Sequence, residues 1–425
     1  MGLGGATSLA DCSGKNCVTA PPQVSGQESV GLSSYYALDV TDQSASGQGM
    51  PKLLWEFSHP DLGFSTSGAA IVRIKAAAGG SDTTNGKWFA VFASGPTGPI
   101  DASCQFQGKS GQTLKIFVVD LGATPAAAGS FWSKGNNYWE IDTAIPAAFG
   151  GSLDGAGIDT DRWNPSAPGF FEDDALYLGY TKAAGGGWKG GVLRILTGGN
   201  LDPAKWTVST LLDDTGPVTG AVAKLQDRGK QKLWLYFGTG RYYFNQDDMT
   251  DGRALYGISE PCYTVGASGN TIDATCSTAL KLSDLNNVSD PAQASVTNDF
   301  KGWWIGLDSV AAGDSGSERL TGNPISSTGG SVFFTTFKPS YDYCQAGKSY
   351  LWGVKYDDGG LVKLNGKALV ALSNGSSRGV GLSSLSGGSG DPRRSPALPG
   401  KASGTRIITK SGLKPLKKII HIQER

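Results

Sequence analysis

Carboxylates crowd into two short stretches of this sequence, and they are the residues best placed to do chemistry. The first stretch runs Asp159-Thr-Asp161, then Asn164, then Glu172-Asp173-Asp174. Closely spaced hard oxygens on a loop suit calcium, which takes six to eight oxygen ligands. In an extended segment alternate side chains share a face, so Asp159 and Asp161 are expected to point the same way. Pro165 and Pro168 lie between Asn164 and Asp174 and lengthen the loop. The competing reading is a solvated acidic turn. The second stretch, Asp247, Asp248 and Asp251 beside Gly252, is a weaker metal candidate, because acidic residues in Gly-containing loops commonly build turns that face water.

Other reactive side chains give little sign of catalysis. The six cysteines, Cys12, Cys17, Cys104, Cys262, Cys276 and Cys344, form no C-x-x-C pair, and His59 and His421 are the only histidines. That excludes a zinc finger and covalent haem attachment. An even cysteine count in a loop-rich chain suits an oxidising compartment. Short loop closure points to Cys12–Cys17 and Cys262–Cys276 as pairs, with the full connectivity left open. Gly238-Thr-Gly240 lacks the following lysine of a phosphate-binding loop and reads as a tight turn. Arg241 after it is expected to pair with an acidic neighbour inside the fold. No Ser-His-Asp arrangement is visible, and His59-Pro60 sits in turn-like sequence. The expectation is binding without catalysis, so the chain is read as no enzyme. Trp55, Trp139 and Trp206 are expected to pack between elements. Of the adjacent pair Trp303 and Trp304, one is expected at the surface as a contact point, since neighbours on a strand face opposite ways.

The elements that must hold these residues are strands. Sixty-three glycines and 11 tryptophans accompany short apolar runs, among them residues 69–74, 88–92, 114–119, 233–237 and 332–337, each bounded by turn residues. The runs recur as a unit: an entry strand, an aromatic strand ending in a small-residue turn, a third strand, and often a tryptophan strand. One copy reads IVRI, GKWFAVFASG, LKIFVVDLG, NNYWEI; later copies centre on DALYLGY, KLWLYFGTG and SVFFTTF. Repeated four-stranded units are the pattern of propeller blades, and the strands outnumber those of a sandwich. The fold class expected is an all-β propeller of four-stranded blades with long loop insertions. The boundaries expected are a loop-rich segment over 1–34, the propeller over 35–373, a Gly/Ser/Pro-rich linker or loop over 374–404, and basic strands or tail over 405–425.

Charge is uneven. The stretch from Lys401 to Arg425 holds seven Lys/Arg and one Glu, a net +6, and the chain as a whole is neutral, so residues 1–400 carry −6. An acidic body argues against a nucleic-acid-binding face. No basic, apolar leader opens the sequence and no run of apolar residues is long enough for a membrane helix.

Taken in order, YYALDVTD…KLLWEF, DTD…DDALYLGY, KLWLYFGTGRYY…ALYGI, KGWWIGL…ERL and VFFTTFKPSYDYCQAGKSYLWGV resemble the C-terminal propeller of PilY-type type IV pilus biogenesis proteins, over roughly residues 35–360. The resemblance implies an extracytoplasmic β-propeller at the pilus tip, cell surface, outer membrane or periplasm. It implies a role in pilus extension and retraction and in adhesion, with pilins or minor pilins and a host or abiotic surface as partners. It also implies calcium as the bound ion, in a D-x-D-x-D-G-x-x-D loop closed by a tyrosine. Asp159, Asp161, Asp174 and Tyr177 match that loop, whereas its central glycine has no match. The family's long N-terminal region has no counterpart in these residues, which leaves room for a separate chain that supplies it. Two other classes compete: a quinoprotein-dehydrogenase-like propeller enzyme, which YYALD…W resembles superficially, and a carbohydrate-binding structural propeller.

Overall fold

The computed structural model describes residues 2–4, 33–41, 51–76, 85–98, 106–122, 132–167, 169–244, 247–249, 251–267, 269–290, 301–309, 316–327, 329–340, 347–360, 367–371, 377–381, 393–396 and 406–408. Among them the chain is all-β, with single-turn 3-10 helices such as Pro60–Leu62. The first sheet has three strands, β1 (Gly2–Gly4), β2 (Ser33–Asp39) and β3 (Lys52–Phe57), in that order. The second is the four-stranded meander β4 (Ala70–Ile74), β5 (Lys87–Ala93), β6 (Lys115–Asp120), β7 (Tyr138–Asp142). The third runs from the short strands β8 (Ala148–Gly150) and β9 (Gly157–Ile158) through β10 (Ala175–Ala184) and β11 (Gly187–Leu196) to β12 (Thr207–Thr215).

The fourth sheet starts with β13 (Ala223–Asp227), β14 (Lys232–Gly238) and β15 (Ala254–Ser259). A separate hairpin, β16 (Tyr263–Val265) and β17 (Asn270–Ile272), interrupts it. It then resumes with β18 (Asn286–Asn287), laid parallel outside β19 (Gly302–Gly306). The fifth sheet orders β20 (Arg319–Leu320), β22 (Ser331–Lys338), β23 (Lys348–Lys355) and β26 (Arg394–Pro396), with β21 (Ile325–Ser327) beside β22. A three-stranded sheet holds β24 (Lys367–Ala371) between β25 (Ser377–Gly381) and β27 (Arg406–Ile408).

The apolar cores lie between consecutive sheets, and this explains the continuous apolar runs. In β5, Phe89, Val91 and Ala93 face the third sheet while Ala90 and Phe92 face the first. In β14, Leu233, Leu235 and Phe237 join the third–fourth seam, and Trp234 and Tyr236 the fourth–fifth. A strand buried on both faces has no polar side to show, so its sequence does not alternate. Sheets stacked face to face in chain order, each a local meander, are the blades of a β-propeller.

Two of the expected non-propeller segments contribute short strands. Residues 374–404 are not solely a linker: they contribute β25 and β26, and Arg393 is 1% exposed, donating to the carbonyls of Val288, Ser289 and Gly359. The loop-rich segment 1–34 contributes β1 and the start of β2. β25 pairs with β24, and β26 lies at the edge of the fifth sheet beside β23. The KKIIHI stretch lies outside the described residues.

Candidate functional site

The first acidic stretch sits where β9 leads out of the third sheet and β10 re-enters it. Asp174 N donates to Ile158 O (2.7 Å) and Asp173 N to Arg73 O (2.9 Å), which pins the second half of the loop to the second and third sheets. Asp174 Oδ2 accepts from both the backbone N (2.8 Å) and the hydroxyl (2.7 Å) of Thr160. Asp159 and Asp161 are thereby held on either side of a buried threonine, with Asp161 N donating to Asp159 Oδ1 at 3.1 Å. Asp161 is 4% exposed. Its Oδ1 and the Oδ2 of Asp159 are buried without a hydrogen-bond partner.

That arrangement is electrostatically costly for two anions. Burial and the adjacent Asp161 carboxyl push Asp159 up to about 7. Burial pushes Asp174 up to about 6 despite its bonds from Thr160. Carboxyls that are desolvated and face a like charge favour either a proton or a bound cation. The orphaned oxygens of Asp159 and Asp161 fit a hard cation.

The remaining residues of the expected ligand set have other duties. Asn164 Oδ1 accepts from Ser166 N (3.1 Å) and shapes the turn. Asp173 Oδ2 accepts from Arg73 N (2.8 Å) and tethers the loop to β4. Glu172, Asp173 and Asp174 line a polar groove of about 550 Å³ with Lys75, Thr271 and Asp273. Tyr177, the residue expected to close the loop, is fully buried in the third–fourth seam, where burial and Glu260 hold its hydroxyl well above its usual pKa. Of the six residues, half-buried Asp159 and buried Asp161 carry the unpartnered oxygens, with Asp174 beside them through Thr160.

The second acidic stretch is engaged by arginines. Asp247 and Asp248 are buried because arginines occupy them. Arg241 Nε donates to both oxygens of Asp247 (3.1 and 3.0 Å), with neither side chain exposed. Its guanidinium also donates to Gly108 O (2.8 Å) and stacks 3.4 Å from the Trp188 ring centre. Arg253 bonds Asp248 and reaches Asp251 at 3.0 Å. The arginines neutralise the Asp247 and Asp248 carboxylates, which weakens their pull on a cation. The pairing foreseen for Arg241 is present.

The tryptophans sort by seam. Trp139 and Trp206 pack in the second–third seam, and Trp55 is half-buried against the first–second core. Trp303 is not a surface residue: it is 1% exposed, with Nε1 donating to Tyr356 O at 3.1 Å. Trp304 is half-buried against the third–fourth seam. The two side chains face opposite ways, and Trp304 is the partly exposed member of the pair.

Of the expected disulfides, Cys262–Cys276 is present, with the Cα atoms 5.7 Å apart. Cys12–Cys17 lies outside the described residues.

One cluster was missed in the sequence. His59, Asp61 and Glu140 bring ligand atoms within 4.8 Å of one another, from positions remote in sequence. Lys115 and Lys134 already bond Glu140, at 2.6 and 2.7 Å, and Lys115 reaches Asp61 at 3.3 Å. His59 Nδ1 accepts from Asp61 N (3.2 Å), so the neutral ring carries its proton on Nε2, towards Glu140. That tautomer suits an ion-pair network and not a metal bound through Nε2.

The C-terminal domain of Pseudomonas aeruginosa PilY1 superimposes with a TM-score of 0.50 and 19% sequence identity, covering 79% of this chain. The chain has the PilY1 C-terminal fold. It spans 66% of that domain's length. A prolyl endopeptidase structure matches with a TM-score of 0.20 and 10% identity, over 88% of this chain and 56% of that one, a level that carries no argument. No protein-family model and no curated protein matches the sequence. Among the described residues no helix is long and apolar enough to cross a membrane.

Proposed function

We propose that this protein is a non-catalytic, extracytoplasmic component of a type IV pilus, acting through contacts with pilins or minor pilins and with a surface. The observation that carries this reading is the shared fold with the PilY1 C-terminal domain along 79% of the chain. The motif blocks that suggested the family fall on strands in the same order: KLLWEF on β3, ALYLGY on β10, KLWLYFG on β14, GWWIG on β19 and SVFFTTFK on β22. His59, the described histidine, caps a turn and faces an ion-pair network, which supports binding over catalysis. A clean deletion is expected to reduce pilus number, adhesion or twitching, and the protein is expected in sheared pilus preparations by mass spectrometry. Normal piliation and motility with no paralogue present would remove the assignment.

Calcium control is part of the reading, and the paired orphan oxygens of Asp159 and Asp161 support it. Extracellular modules bind calcium at roughly 10⁻⁴–10⁻³ M, so millimolar calcium, with magnesium as control, is the right range. An ion at a hundredfold excess over Kd stabilises the fold by about 2.7 kcal/mol. Asp159→Asn and Asp161→Asn are expected to abolish the calcium-specific rise in Tm. Each is also expected to raise Tm in chelator, because each relieves a buried repulsion. A wild-type Tm indifferent to millimolar calcium sinks the calcium reading and leaves the pilus reading to its own test.

A further inference from the structure

We propose that the hairpin β16–β17, closed by Cys262–Cys276, is the second wall of the cation site at Asp159 and Asp161, so that ion affinity depends on that disulfide. The inference rests on the cation reading above and adds the element that the ion would control.

The acidic loop belongs to the third sheet and the hairpin is a separate two-stranded unit inserted between strands of the fourth, yet they meet at one point. The Thr160 hydroxyl lies 2.8 Å from Asn270 O of β17 as well as 2.7 Å from Asp174 Oδ2. Gly269, at φ +154°, lays bare backbone against Asp161: a Cβ there would stand 3.0 Å from Asp161 Oδ2. Gln226 of β13 donates both to Thr160 O and to the Tyr263 hydroxyl of β16, at 2.9 Å for the latter. The carboxylate with the orphan oxygen is thus shut from water on one side by hairpin backbone. Excluding water there strengthens attraction between a bound cation and the carboxylate pair.

The other end of the hairpin is tied down separately. Asp273 N donates to Cys262 O (3.0 Å), and Cys262 N donates to Glu260 Oε1 (2.9 Å). Glu260 in turn forms a fully buried pair with Arg194 of β11. The disulfide closes a segment of sequence separation 14 across this base. With the link open, placing Gly269 and Asn270 against the loop costs more ordering entropy, and that cost is subtracted from ion affinity. The hairpin residues act on the ion by positioning and covering its carboxylates. Changes in such a surrounding shell commonly lower metal affinity by about 10–100-fold.

Two measurements on the full chain test this. Hydrogen exchange of the oxidised wild type, with and without millimolar calcium, is expected to show calcium slowing the amides of Tyr263–Val265 and Asn270–Ile272. Calcium titration is expected to give a Kd about tenfold weaker for Cys262→Ser/Cys276→Ser. Wild type treated with dithiothreitol, which becomes a cyclic disulfide as the two thiols form, is expected to match it. Calcium binding with hairpin exchange and affinity both unchanged overturns this proposal alone. Absence of any calcium binding to oxidised wild type overturns the cation reading and this proposal with it. If the double serine variant fails to fold, the wild-type exchange result decides.

Discussion

At the scale of single residues, the sequence exposed charge but not its partners. Asp247 and Asp248 looked like a loop facing water or metal because acidic residues beside glycine commonly do. What decides their role is Arg241, six residues before Asp247 and stacked on Trp188, and Arg253, five after Asp248, both folded back onto them. Arg241 itself was legible as a residue in need of a carboxylate. Asp159 and Asp161 were legible as a pair, but Asp161 is covered by the backbone at Gly269, about a hundred residues on, which nothing in the local sequence announces. A direct expectation separates the two acidic stretches. Asp247→Ala leaves the Arg241 charge buried and unmatched, and breaking such a pair costs about 3–5 kcal/mol. Arg241→Met/Asp247→Ala is expected to recover part of that loss, and calcium is expected to leave both differences unchanged. Denaturant unfolding with and without calcium measures this. A calcium-dependent cost at Asp247 would restore that residue as a ligand.

At the scale of elements, the repeated unit was readable because each strand is apolar, short and bounded by turns. The reason for the small residues after each aromatic strand was not readable. Those turns are where one sheet's backbone meets the next: Gly95 N donates to Leu62 O (2.9 Å), Gly150 N to Ser94 O (2.9 Å), Gly240 N to Pro217 O (2.7 Å) and Leu320 N to Thr239 O (2.9 Å). At the glycines of these contacts a side chain would collide: a Cβ at Gly95 would stand 1.8 Å from Phe64 O, and one at Gly240 2.4 Å from the Cβ of Arg319. At Gly150 a Cβ would come 2.2 Å from the Cβ of Ala93 across the second–third seam. Gly150→Ala is therefore expected to cost roughly 1–3 kcal/mol by overpacking. Gly252→Ala, whose Cβ meets nothing within 4 Å, is expected to change stability by under about 0.5 kcal/mol. Thermal melts of the two variants compare them, and equal losses would show that close approach is not the purpose of the glycine. The strands over 374–404 escaped notice for a related reason: β26 is held by β23, and its own composition carries no strand signal.

At the scale of the whole molecule, stability is distributed over seams. Leu178 belongs to the second–third core and Phe334 to the fourth–fifth, and the third–fourth core intervenes. In an array of this kind each unit contacts its neighbours, so stability is close to a sum of local and nearest-neighbour contributions. Both side chains are fully buried. Leu178→Ala is expected to cost about 2–5 kcal/mol and Phe334→Ala about 3–5. Residues that share no partners and lie far apart add within about 0.3–0.5 kcal/mol, and the double variant is expected to do so. The same cycle run within one seam, Leu178→Ala with Phe89→Ala, is expected to deviate by about 0.5–3 kcal/mol, since both sit in one core. Urea unfolding gives all the terms. Coupling between the distant seams as large as that within one would mean that the sheets unfold as a single block, and the blade-by-blade account of this fold would have to be abandoned.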